Sequence, residues 1–246
     1  MNQPASSPGG AGADAAPLEI VAVAHGPYPE VSRLNPEFIT GIPRLKLTLR
    51  IDINGAPPQA EACLGALEAQ FPSLARHRCC GDNSLRETFF SRGRRQSCSV
   101  QEADPGVDVA HLAEHLIIDI QHFVGRMKIC SGVTCAYREP RNMFDIFVEC
   151  PEEKVGRLGA AVASELVNDL LRGRPPRENS RCLMETARAA RDNAGLPLSS
   201  FAAGLEMQWG SSAVAEAADD LRVQGFLTER EVTLNFSGVP IVSYAP

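Results

Sequence analysis

Apolar and polar positions alternate or recur along this chain with periods that mark its elements. "LEIVAVAHG" (18–26) reads as a first strand, ended by Gly26-Pro27. "RLKLTLRIDI" (44–53) alternates charged or polar with apolar residues, the pattern of a half-buried strand. "PPQAEACLGALEAQF" (57–71) opens on proline and carries apolar residues at helical spacing. A glycine-broken polar stretch follows over 76–96, with room for a short helix at 84–90. Connections of that length in compact domains are often functional.

In "GVDVAHLAEHLIIDIQHFVG" (106–125), Val109, Leu112, Leu116, Ile120 and Phe123 predict a helix with one apolar stripe, closed by Gly125. "RMKICSGVTCAY" (126–137) and "NMFDIFVEC" (142–150) predict a hairpin joined by "REPR". "PEEKVGRLGAAVASELVNDLLRG" (151–173) predicts a long helix with acids in its first turn. Hairpins with helices on one face make an α+β class, a small antiparallel or mixed sheet with helices packed on it. At 172–181 prolines and arginines cluster as in a linker. Three helical segments and a strand pair around Ser237-Gly238 then outline a small winged-helix-like module. The expected division is a disordered tail over 1–17, an α+β domain over 18–173 and the C-terminal module over 174–246.

Composition changes this picture little. Of 246 residues 44% are hydrophobic and only 6% aromatic, so the core must be largely aliphatic. The net charge of -6 argues against a dedicated nucleic-acid binder. In the C-terminal module the helix that would read DNA carries Glu216, Asp219 and Asp220 against one arginine, Arg222. Packing or protein contact is the favoured use of that module, although Arg172, Arg174, Arg177, Arg181, Arg188 and Arg191 keep a DNA-binding regulator in view. No run approaches a membrane span, and "MNQPASSPGGAGADAAP" has neither the basic nor the apolar region of a secretory signal. Eight cysteines without a Cys-x-x-Cys pair fit reduced thiols and a cytoplasmic setting.

The chemistry concentrates in "HLAEH". On a helix His111 and His115 share a face and can aim both imidazoles at one point, with Glu114 beside it. This is the arrangement of a hydrolytic zinc site, in which two neutral imidazoles and one carboxylate hold the ion and a glutamate takes a proton from water. His-x-x-Glu-His is the inverted form of the zincin motif. Glu149, closing an apolar strand, is the best third ligand, because a carboxylate there is costly to bury unless paired or bound to a cation. Glu152 and Glu153 are weaker candidates. The plainer alternatives are a helix with a polar edge and a solvent-facing glutamate at a strand end. His122 lies two turns beyond His115 and reads as ordinary. In the long loop, His77, Arg78 and Glu87 either line a cleft and grip a charged peptide or belong to a solvated loop.

Beyond these motifs, residues 18–173 resemble the amino-terminal domain of cyanophycin synthetases. The likeness rests on an ordered series: His111, Glu114, His115 and Gln121, then Phe147-Val148-Glu149, then Glu152, Glu153, Gly156 and Arg157. Upstream, "LEIVAVAHGPYPEVSR", "ARHRC" (75–79) and "LRETF" (85–89) match further family segments. The resemblance implies a domain that holds a polymer with an aspartate backbone and arginine side chains, cleaved in some members by a metallopeptidase-like site. It implies His111, His115 and Glu149 as zinc ligands, with another divalent first-row metal as the alternative, and Glu114 as base. Candidate substrate contacts are His77, Arg78, Glu87 and Arg138. The chain departs from the family in having neither ATP-grasp nor Mur-ligase-like regions, which removes synthesis. It has His25-Gly26-Pro27-Tyr28 where the family has Arg-Gly-Pro-Asn, and "CSGVTCAY" with a displaced Arg138. The expected function is a stand-alone metal-dependent hydrolase of peptide or isopeptide amides. The rival is a non-catalytic module that holds a charged peptide or docks on a separate ligase or a second copy.

Overall fold

A computed structural model describes residues 16–53, 60–77 and 105–228. The helix expected at 84–90, the strand pair around Ser237-Gly238, and the candidates Arg78 and Glu87 lie outside the described residues. Four strands, β1 (Leu18–Gly26), β2 (Arg44–Ile51), β3 (Gly132–Ala136) and β4 (Met143–Glu149), form one antiparallel sheet in the order β1-β2-β4-β3. Six α-helices are described: α1 (Ala60–Gln70), α2 (Pro105–Phe123), α3 (Glu153–Leu171), α4 (Ser180–Asp192), α5 (Ala202–Trp209) and α6 (Ser211–Val223). The class is α+β, as the periodicity predicts. No described helix is long and apolar enough to cross a membrane.

Strand alternation sorts the sheet into two faces. Leu45, Leu47, Leu49 and Ile51 on β2 and Phe144, Ile146 and Val148 on β4 are buried on the face that meets α2 and α3. The opposite face carries Lys46, Thr48 and Asp145, tied by a Lys46–Asp145 ion pair of 2.8 Å and a Thr48 hydroxyl donating to Asp145 at 2.7 Å. The segment between β1 and β2 folds over the end of that face, where Val31, Phe38 and Phe147 make a small second cluster. Arg44 is buried beneath it. Its guanidinium donates to the carbonyls of Pro27 and Tyr28 and to Ser32 Oγ, and stacks on Phe38 at 4.6 Å.

Helix α2 departs from its expected single stripe. From Val109 to Gln121 every residue except His111 is buried. The sheet, including its edge strand β3, covers one side, α3 a second, and α4 with the 3₁₀ turn Leu74–Arg76 another. The pattern shows the stripe facing the sheet, but it cannot show neighbours that arrive from distant sequence. The strand expected over 126–137 is also shorter. Arg126 takes a left-handed φ of 54°, and pairing with β4 begins at Gly132.

The C-terminal helices join the same buried cluster as the sheet and α2, through Cys182, Met184, Ala187, Val214, Ala217 and Leu221 among others. Phe123 lies against the guanidinium groups of Arg181 and Arg188, at 4.4 and 4.3 Å. Arg191 pairs with Glu152, and Arg126 with Asp192. Several arginines that kept DNA contact in view are thus engaged within the chain.

Gly156 lets the first turn of α3 settle on β2. A Cβ there would collide with Cys150 Sγ and press on Leu45 at 3.3 Å. Gly156→Ala is expected to lower stability by about 1–3 kcal/mol, as overpacking does. Combining it with Cys150→Ala should cost less than the sum of the two single changes, measured by urea unfolding.

Candidate metal centre

The buried length of α2 carries four polar side chains, three of them buried and His111 partly exposed. His111, Glu114 and His115 project to one side, and Asp119 follows a turn after His115. His111, Glu114 and His115 form the one potential metal-binding group found among the described residues, with their ligand atoms all within 4.8 Å of one another. The Nε2 atoms of His111 and His115 face each other at 3.0 Å, and the rings meet edge to face at 4.6 Å between centroids. Two nitrogens bound to one tetrahedral zinc at about 2.05 Å stand about 3.3 Å apart, so the pair is spaced to share an ion.

Burial sets the charge states. It lowers the His111 pKa to about 4. It lowers that of His115 to about 2, with further contributions from His111 and His77. Both rings are therefore neutral near pH 7 and keep a lone pair for a cation. Burial raises Glu114 to about 7, against a hydrogen bond that Thr134 Oγ1 donates to its Oε2 at 2.5 Å. Gly132 makes room for this carboxylate. A Cβ there would sit 2.8 Å from Glu114 Cγ and Oε1. The donor set, two neutral imidazoles and a carboxylate poised near neutrality, fits a divalent first-row metal.

Glu149 stands apart from this group. It is fully buried, as its place at the end of an apolar strand suggests. Its position alternates with Val148, which faces α2, so it starts from the other side of the sheet. Its Oε1 accepts the Ile39 N–H, and its Oε2 accepts the Ser131 N–H at 3.0 Å. The Glu149 carbonyl accepts from the Gln121 side chain, which ties α2 to the end of β4. Glu152 and Glu153 lie at the exposed start of α3, where they pair with Arg191 and Arg157. Arg138 is on the exposed turn between β3 and β4, four residues and so about 13 Å of extended chain beyond Thr134.

His77 is brought to the cluster from the end of the 3₁₀ turn Leu74–Arg76, which the buried Leu74 anchors. Its Nδ1 is 2.8 Å from His115 Nδ1, and its Nε2 is 3.2 Å from Asp119 Oδ1. His122, read as ordinary, donates from Nδ1 to the Met127 carbonyl at 2.6 Å, and its ring lies 6.3 Å from that of His77. Sequence reasoning missed Asp119, Thr134 and Gly132. For Asp119 a signal existed in the four-residue spacing 111–115–119, which carries the polar stripe one turn further.

The cyanophycin synthase-like N-terminal domain model matches residues 45–172, slightly more than half of the chain. The matched region runs from β2 through α3 and contains the whole cluster. No curated protein matches the chain.

In metal-free protein Glu114 is expected to make stability depend on pH. Its folded pKa of about 7 lies above an ordinary 4.5, so the folded state binds the extra proton between these values. Its stabilising contribution is complete below about pH 4.5 and is lost as pH rises through 7. Glu114→Gln removes this dependence. The stability of wild type relative to the variant should therefore fall by about 3 kcal/mol across that window, read from urea unfolding of both proteins at each pH.

Proposed function

The chain belongs to the cyanophycin synthase-like N-terminal domain family, and on that premise we propose that it is a metal-dependent hydrolase of peptide or isopeptide amides in a charged peptide or polymer, with zinc as the metal. The observation that carries the reading is the convergence of His111, Glu114 and His115 within 4.8 Å on one buried helix. A closed structural zinc site uses four protein ligands, whereas a hydrolytic site leaves a position open. Here two imidazoles would hold the ion with positions left open, and the one adjacent carboxylate is free to serve as base.

His111 and His115 would hold the ion through Nε2. A bound zinc supplies Lewis acidity toward a carbonyl oxygen and lowers the pKa of a coordinated water to about 7. Glu114 acts as general base and acid. It would take a proton from water and return it to the leaving amine. Thr134 and the bare backbone of Gly132 fix the carboxylate's position. Glu149 we assign to holding the backbone at Ile39 and Ser131, and so the start of β3, rather than to the ion. Membership of a cyanophycin synthase-like family supports a charged peptide or polymer as the substrate.

Elemental analysis of purified protein tests the metal directly. About one zinc per chain is expected in wild type and in Glu114→Gln, and none in His111→Ala/His115→Ala. On a panel of aspartate- and arginine-containing peptides and isopeptides, Glu114→Gln should lose about 10²–10⁴-fold in turnover. Full turnover by that variant would remove Glu114 as base. Zinc binding without cleavage of any amide would leave a non-catalytic peptide-binding module.

A further inference from the structure

His115 makes contacts at both ring nitrogens, and the one facing away from His111 leads to a buried carboxylate. Asp119 is 2% exposed, and its Oδ1 meets no aligned donor among the described residues. His77 Nε2 stands 3.2 Å from that oxygen, so a small turn of the His77 ring completes the bond. Across the ring, His77 Nδ1 is 2.8 Å from His115 Nδ1, and His115 Nε2 is 3.0 Å from His111 Nε2. The four side chains thus form one line: Asp119, His77, His115, His111.

The direction of the hydrogen bonds along this line follows from its end. An ionised carboxylate only accepts, so His77 must carry its proton on Nε2. With one proton on each ring of the line, His77 then offers a lone pair at Nδ1. Two nitrogens 2.8 Å apart need a single proton between them, and His115 must supply it from Nδ1. That leaves His115 Nε2 without a proton; by the same rule the 3.0 Å contact puts a proton on His111 Nε2 in metal-free protein, which a cation would displace. We infer that Asp119 and His77 are positioning residues that set the tautomer of His115, so that its Nε2 lone pair faces the point where the cluster would hold a cation. The relay rests on the metal reading of the cluster. Carboxylate–histidine pairs of this kind orient a ligand ring and raise its basicity, and their loss typically weakens metal binding by about 10–100-fold.

His122 is engaged at Nδ1 by the Met127 carbonyl. Glu114 lies on the other side, hydrogen-bonded to Thr134. Asp119→Asn gives the sharpest variant. An amide can donate to His77 Nε2, which moves the His77 proton to Nδ1 and turns the line around. His115 then accepts at Nδ1 and carries its proton on Nε2, the atom a cation needs. His77→Gln acts differently, since its side-chain carbonyl can accept directly from His115 Nδ1–H.

The test is two-bond ¹H–¹⁵N correlation NMR of metal-free protein labelled at histidine, with zinc affinity measured by chelator competition. Wild type should show His115 protonated at Nδ1. Asp119→Asn should show it protonated at Nε2, with zinc affinity lower by about 10–100-fold and thermal unfolding of the metal-free protein little changed. His77→Gln should keep the Nδ1 proton and most of the affinity, which a role limited to packing would not predict. His115 protonated at Nε2 in wild type would overturn the relay without any variant. So would wild-type zinc affinity in Asp119→Asn. Wild type with the expected tautomer but no zinc binding would instead overturn the metal reading, and the relay's role with it.

Discussion

Helix α2 is buried from Val109 to Gln121 except at His111, and the rest of the structure follows from that burial. A helix packed between a sheet, two further helices and a turn should be apolar nearly all round. This one carries Glu114, His115, Asp119 and Gln121 into the interior. Each must be neutralised, hydrogen-bonded or placed against a counter-charge, because unpaired polar groups are costly in a low-dielectric interior. Histidine and glutamate meet the demand by becoming neutral, Gln121 by bonding the end of β4, and Asp119 by standing next to His77. The packing around the helix and the chemistry on it are therefore two aspects of one constraint.

The neighbours of α2 are shaped by the same demand. Gly132 gives up a side chain so that the Glu114 carboxyl can lie against the β3 backbone, and Thr134 on the same strand supplies its donor. Glu149 holds the approach to that strand by accepting the Ser131 amide. Gln121 bonds the Glu149 carbonyl, so the helix and the strand end are fixed relative to each other. A shift of β3 by one residue would turn Thr134 away from Glu114.

Much of this was legible in the chain, for identifiable reasons. The strands and helices follow from periods of two and 3.6, and the His111–His115 pairing follows from helix geometry alone. The depth of α2 did not, because the residues that cover it come from segments far away in sequence. The fate of Glu149 was half legible. Its position at the end of "MFDIFVE" called for burial with compensation, but the sequence could not say whether a cation or backbone amides would supply it. The structure places Ile39 and Ser131 there. His77 was singled out in a polar stretch as a substrate contact, yet its partners are His115 and Asp119, 38 and 42 positions further on. Such a meeting is set by the fold, and only the recurrence 111–115–119 hinted at it.

The cluster is also open unevenly. The side chain of His111 is 25% exposed, while those of Glu114 and Asp119 are 5% and 3% exposed. If the site is read as a cation site, traffic into and out of it passes one imidazole, and an ion must shed most of its water to move inward. Exchange across such a doorway is governed by rate more than by equilibrium. The metal found in a purified preparation would then reflect which ion the chain met while folding, and a chelator added later would act slowly even where it binds more tightly.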